Sequence, residues 1–336
     1  MRRIVSYMSK NTTIITSSDF NDVNKVLNNP NYVYIVDECI LELYDYLFDD
    51  NCSRIIPIKG GENAKSFESY QMITTTLANL NISRQATIVA IGGGTITDLV
   101  GFVGATYKRG TKLIFIPTTL IGMVDAAIGG KNGLNISNYK NQIGTFYQPD
   151  AIVISTCFLH SLSLSSFKEG MSEIIKCTII SDIDLFNNLK NNYYLPSTTD
   201  SSLKELIEKT IKIKIDLTLI DEFDCHERQK LNFGHTLGHA IESCSSFTTS
   251  HGKAVATGMI YELTSADERN ELLKLYKFQD IEYLENLDID SLKENILKDK
   301  KVNSGVITYP VIKKIGRCEL ISTSVNEFLK NIKEEL

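Results

Sequence analysis

Ile88-Val89-Ala90-Ile91-Gly92-Gly93-Gly94-Thr95 runs from four consecutive apolar residues into three glycines and then into a helical pattern. An apolar run without alternation describes a strand covered on both faces, as in parallel sheets flanked by helices. The glycines allow a tight turn and bring backbone N–H groups close to an anion, and the following helix adds positive partial charge at its N-terminus. The spacing is not Gly-x-Gly-x-x-Gly, so the dinucleotide fingerprint is not matched, and a turn without a ligand would use the same glycines. Asp98 lies one helical turn further on, where a carboxylate reaches a ligand or caps backbone N–H groups.

Outward from this turn, strand patterns at 13–16, 32–36, 54–58, 87–91, 112–116 and 151–155 alternate with helical patterns at 19–27, 38–48, 64–80 and 95–103. That alternation predicts an α/β domain over residues 1–157 with a mostly parallel, Rossmann-like sheet. Ligands of such sheets bind at the carboxyl ends of the strands. Asp37 follows one strand, Glu62 and Lys65 another, and Thr118 and Thr119 a third. Asp125, Gly129-Gly130-Lys131 and Lys140-Asn141 come next, and Arg109 stands just before the strand at 112–116. A single lysine is ordinarily a solvated charge. Lys131, Lys140 and Arg109 together, in an acidic chain, suggest an anionic ligand.

Beyond residue 157 the patterns become helical, at 164–180, 182–191, 201–220, 230–246, 251–275 and 291–298, with weak strand signals at 306–309 and 318–321. The expectation for 158–336 is an all-α domain, with a ligand cleft between it and the first. All five of the chain's histidines lie in this half, and three of them, His235, His239 and His251, fall within 17 residues. His235 and His239 are spaced i, i+4, which places both imidazoles on one helical face, suited to zinc or its first-row neighbours. Hydrogen-bonded core histidines would also satisfy the pattern, and a site needs a carboxylate from elsewhere. Glu173, three residues before Lys176, is either that carboxylate or half of a surface ion pair.

Composition narrows the function classes. The 336 residues are 43% hydrophobic and 23% charged, with a formal net charge of −6, which argues against nucleic-acid and anionic-membrane surfaces. Seven cysteines, at 39, 52, 157, 177, 225, 244 and 318, form no Cys-x-x-Cys pair, as expected of reduced thiols in the cytoplasm. The basic N-terminus lacks the apolar segment of a secretory signal. The apolar window at 86–105 carries three glycines and Asp98 and is not a membrane span.

The runs GGGTITDLVGFVGATYKRG, IPTTLIGMVDAAIGGKNGLN, KNQIGTFYQP, EGMSEIIK, RQKLNFGHTLGHAIE, HGKAVATGM and KDKKV resemble the 3-dehydroquinate synthase family in order and spacing, from Asp37 to Val302. The resemblance implies an N-terminal NAD-binding domain, a C-terminal metal domain and a homodimer. It implies Glu173, His235 and His251 as ligands of zinc, or of cobalt, with His239 an active-site hydrogen-bonding residue instead of a ligand. It assigns Asp37, Glu62, Lys65, Gly93, Gly94, Asp98, Thr118, Thr119, Asp125, Lys131 and Lys140 to the NAD side. Lys131, Asn141, Lys176, Lys214, Arg228 and Asn232 would contact substrate, Lys300 or Lys301 would close over it, and Arg109 would reach its phosphate, from the partner subunit if not from its own. The implied substrate is an anionic sugar phosphate, 3-deoxy-D-arabino-heptulosonate 7-phosphate. It would become 3-dehydroquinate and phosphate through transient oxidation by NAD, elimination, re-reduction, ring opening and aldol closure. The alternatives are a cyclase of the 2-deoxy-scyllo-inosose synthase type and a metal-dependent polyol dehydrogenase. One departure is visible: Asp221-Glu222-Phe223-Asp224 stands where many members read Asp-Glu-Arg-Glu.

Overall fold

The computed structural model describes all residues except 49–53, 137–138, 199–200, 246–247, 286, 298–301, 304 and 335–336. Contacts divide the chain into two units, 1–163 with 196–223 and 164–195 with 224–336.

The first unit contains β1 (Arg2–Ser6), β2 (Asn11–Ser17), β3 (Tyr32–Asp37), β4 (Ile55–Ile58), β5 (Thr87–Gly92), β6 (Lys112–Pro117), β7 (Lys131–Ile136), β8 (Tyr139–Phe146) and β9 (Ala151–Ser155). Seven of them form one sheet in the order β1-β2-β9-β6-β5-β3-β4. All its pairings are parallel except β1 with β2. Every residue of β5 is buried, which explains the unalternating apolar run: this strand lies between neighbours and under helices on both faces. From β3 the chain goes outward to β4, then returns to place β5 on the other side of β3. The carboxyl ends of β3 and β5 therefore flank the point where the winding direction reverses, the usual crevice for ligands.

β7 and β8 form an antiparallel hairpin of their own, pairing Lys131 with Phe146 and Leu134 with Ile143. Its asparagines, glycines and lysines are poor strand formers, so local propensity did not announce it. The short, charged edge strand β1 was silent for the same reason. The Ser201–Ile220 helix groups with this unit although it lies far along the chain.

The second unit is mostly helical. Its Leu164–Ser181 helix is buried at all but one position from Phe167 to Ile180, as a helix surrounded by protein must be. The 230–246 pattern is shorter than expected: Glu227–Asn232 forms a 3-10 turn, and the α-helix begins at His235 after Gly234, at φ 75°. The pattern at 251–275 is two helices, His251–Glu262 and Ala266–Gln279. Ser265 starts the second, its side chain accepting the Glu268 N–H, a local signal for a helix start. The weak strand signals correspond to β11 (Val306–Lys314) and β12 (Arg317–Ser324), which form an antiparallel sheet with β10 (Val302–Asn303). Among the described residues, no helix is long and apolar enough to cross a membrane.

Candidate functional site

In the first unit, the reversal point gathers the residues singled out around the glycine turn. Asp37 ends β3, and its Oδ1 accepts the Cys39 N–H at 3.1 Å. A Cβ on Gly60 would lie 2.1 Å from Asp37 Oδ2, and one on Gly92 would lie 3.2 Å from Asp37 Cβ. The carboxylate is thus pressed between two backbone segments, and burial raises its pKa. Thr118 N–H donates to the Gly92 carbonyl at 2.9 Å, which holds the turn after β6 against the glycines. Gly93 and Gly94 lead into the Gly94–Thr106 helix, and N–H groups at a helix N-terminus favour an anion.

Two ion pairs lie beyond the glycines. Buried Lys65 donates to Asp98 at 2.7 Å and to the Asn141 side-chain oxygen at 2.5 Å. Burial pushes the Asp98 carboxyl up, against the pull of Lys65. Lys214, on the Ser201–Ile220 helix, pairs with Asp125 at 2.5 Å. Glu62 is exposed and accepts from Asn135 Nδ2 at 2.8 Å. Thr119 Oγ1 accepts the Gly122 N–H at 3.2 Å. Lys131 opens β7, while Lys140 and Asn141 lie on β8. Within this unit, hydrogen bonds thus join Lys65 to Asp98 and Asn141, and Lys214 to Asp125.

Arg109 is the exception. It follows the carboxyl end of the Gly94–Thr106 helix and precedes β6. That puts it at the amino-terminal edge of the sheet, opposite the glycine turn. It is exposed, at φ 63°.

Phe223, the departure from the family pattern, lies edge-on against Phe146, with ring centroids 5.5 Å apart. Phe146 is the cross-strand partner of Lys131. An aromatic contact to the hairpin stands where an arginine would offer hydrogen bonds.

In the second unit, Glu173, His235 and His251 bring one oxygen and two nitrogens within 4.8 Å of one another. Glu173 is 1% exposed, and its Oε1 lies 3.5 Å from His235 Nε2 and 3.4 Å from His251 Nε2. No hydrogen bond reaches that oxygen, a costly condition for a buried carboxylate unless a cation sits there. Glu173 Oε2 accepts from Lys176, and this pair is buried, not on the surface. Burial opposes ionisation of Glu173, but Lys176 and His251 outweigh it and hold its pKa at about 2. Burial likewise opposes charging of His251, yet Glu173 and Glu242 raise it to about 10.

The imidazoles are aimed by their other nitrogens. His235 Nδ1 is 3.1 Å from the Phe233 carbonyl, which selects the Nδ1–H tautomer and leaves the Nε2 lone pair toward Glu173. Gly258 lets the two histidine helices approach: a Cβ there would stand 2.0 Å from the Gly234 carbonyl oxygen. Glu262, at the end of the His251 helix, accepts the N–H groups of Gly234 and Leu237 at 2.7 and 3.2 Å, capping the His235 helix from its neighbour. His239 is half-buried, its ring centroid 5.5 Å from His235 and 6.4 Å from His251, and it is not one of the three grouped donors. Arg228 and Asn232 lie in the turn that precedes the His235 helix, Arg228 only 1% exposed. The expected lysine at 300 or 301 lies outside the described residues. Glu242 and Glu262 were not foreseen, although Glu242, seven residues after His235, shares its helical face.

A carboxylate with two neutral imidazole nitrogens is a donor set for zinc or cobalt that leaves coordination positions for a substrate. Its residues fit a divalent cation.

Comparison with known proteins gives a consistent result. Residues 55–169 match the family described as 3-dehydroquinate synthase N-terminal, and residues 170–302 match the 3-dehydroquinate synthase C-terminal family. The 3-dehydroquinate synthase of Picrophilus torridus is 40% identical over 314 residues, 90% of each chain. That of Enterococcus faecalis is 34% identical over 312 residues, 87% of this chain and 86% of the other. In fold, the chain is similar to 2-epi-5-epi-valiolone synthase from Streptomyces hygroscopicus subsp. jinggangensis, solved with NAD+ and Zn2+ bound. The TM-score is 0.85 at 22% identity, covering 99% of this chain and 98% of that one. It is also similar to 2-deoxy-scyllo-inosose synthase complexed with carbaglucose-6-phosphate, NAD+ and Co2+, with TM-score 0.84 at 21% identity and full coverage of both chains. A probable glycerol dehydrogenase from Sinorhizobium meliloti has a TM-score of 0.65 at 12% identity, covering 96% of this chain and 95% of that one.

Proposed function

The chain belongs to the 3-dehydroquinate synthase family, and from that premise we propose that it converts 3-deoxy-D-arabino-heptulosonate 7-phosphate to 3-dehydroquinate and phosphate. The cofactors are NAD and a divalent cation, zinc or cobalt. The observation that carries the reading is the buried Glu173 oxygen facing two imidazole nitrogens.

When bound, NAD accepts and returns a hydride, and the cation acts as a Lewis acid toward substrate oxygens. Glu173, His235 and His251 hold the cation. Asp37 and the Gly93-Gly94 turn hold the dinucleotide, Asp37 accepting from a ribose and the helix N-terminus facing phosphate. Glu62, Lys65, Asp98, Thr118, Thr119, Asp125 and Lys140 complete that side, with Lys131 shared with the substrate. Lys131, Asn141, Lys176, Lys214, Arg228 and Asn232 bind the substrate's carboxylate and hydroxyls, and a lysine at 300 or 301 closes over it. Lys176 and Lys214 are already held by Glu173 and Asp125, so little side-chain order is lost when an anion arrives. His239 exchanges hydrogen bonds with the reacting groups. Holding both ends of the opened chain together makes ring closure effectively unimolecular. Arg109 contacts the phosphate from the second subunit of a homodimer, and the enzyme works in the cytoplasm.

Purified protein with NAD, zinc and the heptulosonate phosphate should release phosphate with no net NADH. Steady NADH accumulation without phosphate would indicate a polyol dehydrogenase. Turnover of glucose 6-phosphate in place of the heptulosonate would indicate a cyclase of the 2-deoxy-scyllo-inosose synthase type. Either result overturns the reading.

A further inference from the structure

Glu242 is a carboxylate that the proposed reaction does not use. It is 2% exposed and stands on the His235–Cys244 helix. Its Oε2 lies 3.4 Å from His251 Nδ1, at the long end of hydrogen bonding. The other nitrogen of the same ring, Nε2, lies 3.4 Å from Glu173 Oε1. The His251 imidazole is therefore held between two carboxylates from two different helices, one at each nitrogen. His251 heads its own helix and has a side chain 29% exposed, whereas His235 is deeper, at 11%. Of the two imidazoles, His251 has more need of an external hold.

A metal-bound imidazole offers a lone pair at one nitrogen and keeps a proton at the other. An acceptor at the protonated nitrogen selects the tautomer, fixes the ring and raises the basicity of the ligating nitrogen. His235 has such an acceptor in the Phe233 carbonyl. We propose that Glu242 is the positioning residue of His251: it accepts the Nδ1 proton and presents Nε2 to the cation. The His235 helix would then supply both a ligand and the carboxylate that orients the ligand on its neighbour. A buried carboxylate is costly unless paired, and a metal-polarised imidazolium-like N–H is a partner that strengthens when the cation is bound. This inference rests on Glu173, His235 and His251 being the metal ligands.

The test strips the metal from the full-length protein and titrates zinc back against a chromophoric chelator, with cobalt absorption reporting ligand geometry and dinucleotide fluorescence reporting the other unit. Glu242→Ala should weaken zinc binding by about 10- to 100-fold, alter the cobalt spectrum and leave dinucleotide affinity unchanged. Glu242→Gln, which keeps the volume and one acceptor oxygen, should recover part of that affinity. It also carries the test if the alanine variant does not fold. Zinc affinity in both variants within about twofold of the wild type, with metal binding lost in Glu173→Ala, would overturn the role of Glu242 alone. Full zinc binding by Glu173→Ala would overturn the metal site itself.

Discussion

At the scale of the residue, the decisive contrast is between three histidines within one 17-residue stretch. His235 and His251 direct Nε2 at the same carboxylate oxygen, whereas His239 lies beside them outside the donor set. Glu173→Ala and His235→Ala should therefore yield protein without bound metal, measured by elemental analysis. His239→Ala should retain metal and lose activity by about 10²- to 10⁴-fold, the range for a positioned acid–base group. An empty site in His239→Ala would overturn this division. The same cluster sets a pH response in the metal-free protein. Against burial, the Lys176 and His251 charges hold Glu173 near pKa 2, below its ordinary 4.5. That contribution to stability is present above 4.5 and lost as pH falls toward 2. His251 is raised from 6.5 to about 10, so its contribution is complete below 6.5 and lost as pH rises through 10. The melting temperature of chelator-treated protein should fall across that upper window more than that of His251→Gln, and zinc should abolish the difference. Parallel curves for the two metal-free proteins would refute it.

At the scale of the element, the His235 and His251 helices behave as one unit. They meet where Gly258 faces the Gly234 carbonyl, and Glu262 caps one from the end of the other. Gly258→Ala puts a methyl group where backbone stands 2.0 Å away, and backbone cannot step aside as a flexible side chain can. The helices must part, at a cost of about 1–3 kcal/mol, and zinc affinity should fall with stability. Calorimetry together with zinc titration checks this; unchanged values of both would show that the pair tolerates separation. The helical spacing of His235 and His239 was legible, but the start of their helix was not. Residues 230–234 continue the apolar pattern, and only the left-handed Gly234 and the cap supplied by Glu262 place the start at His235.

At the scale of the whole molecule, the placement of Arg109 makes the most specific demand. It sits at the amino-terminal edge of the sheet, opposite Asp37, Gly93 and Thr118. If it serves the substrate, a second copy of the chain must bring it, which a two-fold dimer does reciprocally. Arg109→Ala and Glu173→Ala should each be inactive alone. After unfolding and refolding together they should regain partial activity, because mixed dimers contain one site with neither defect. Mixed dimers verified by mass spectrometry yet without activity would place Arg109 in its own subunit's site, and full activity of Arg109→Ala alone would place it in none.

What the sequence by itself determined is what short-range pattern and motif can carry: the parallel sheet behind the Ile88–Gly94 turn, the helical second half and the family. The residue types of a cation site and an anion site were legible too, down to the acids and threonines at the strand ends. Only the tertiary structure decided which oxygens and nitrogens converge. It set Glu242 behind His251, joined Lys65 to Asn141, set Phe223 edge-on against Phe146, carried the Ser201–Ile220 helix back to the first unit and put Arg109 at the far edge. The reason is one of range. Periodicity and capping act over one or two turns of backbone, whereas a cluster drawn from positions 173, 235, 242 and 251 exists only after packing has closed the long intervening chain.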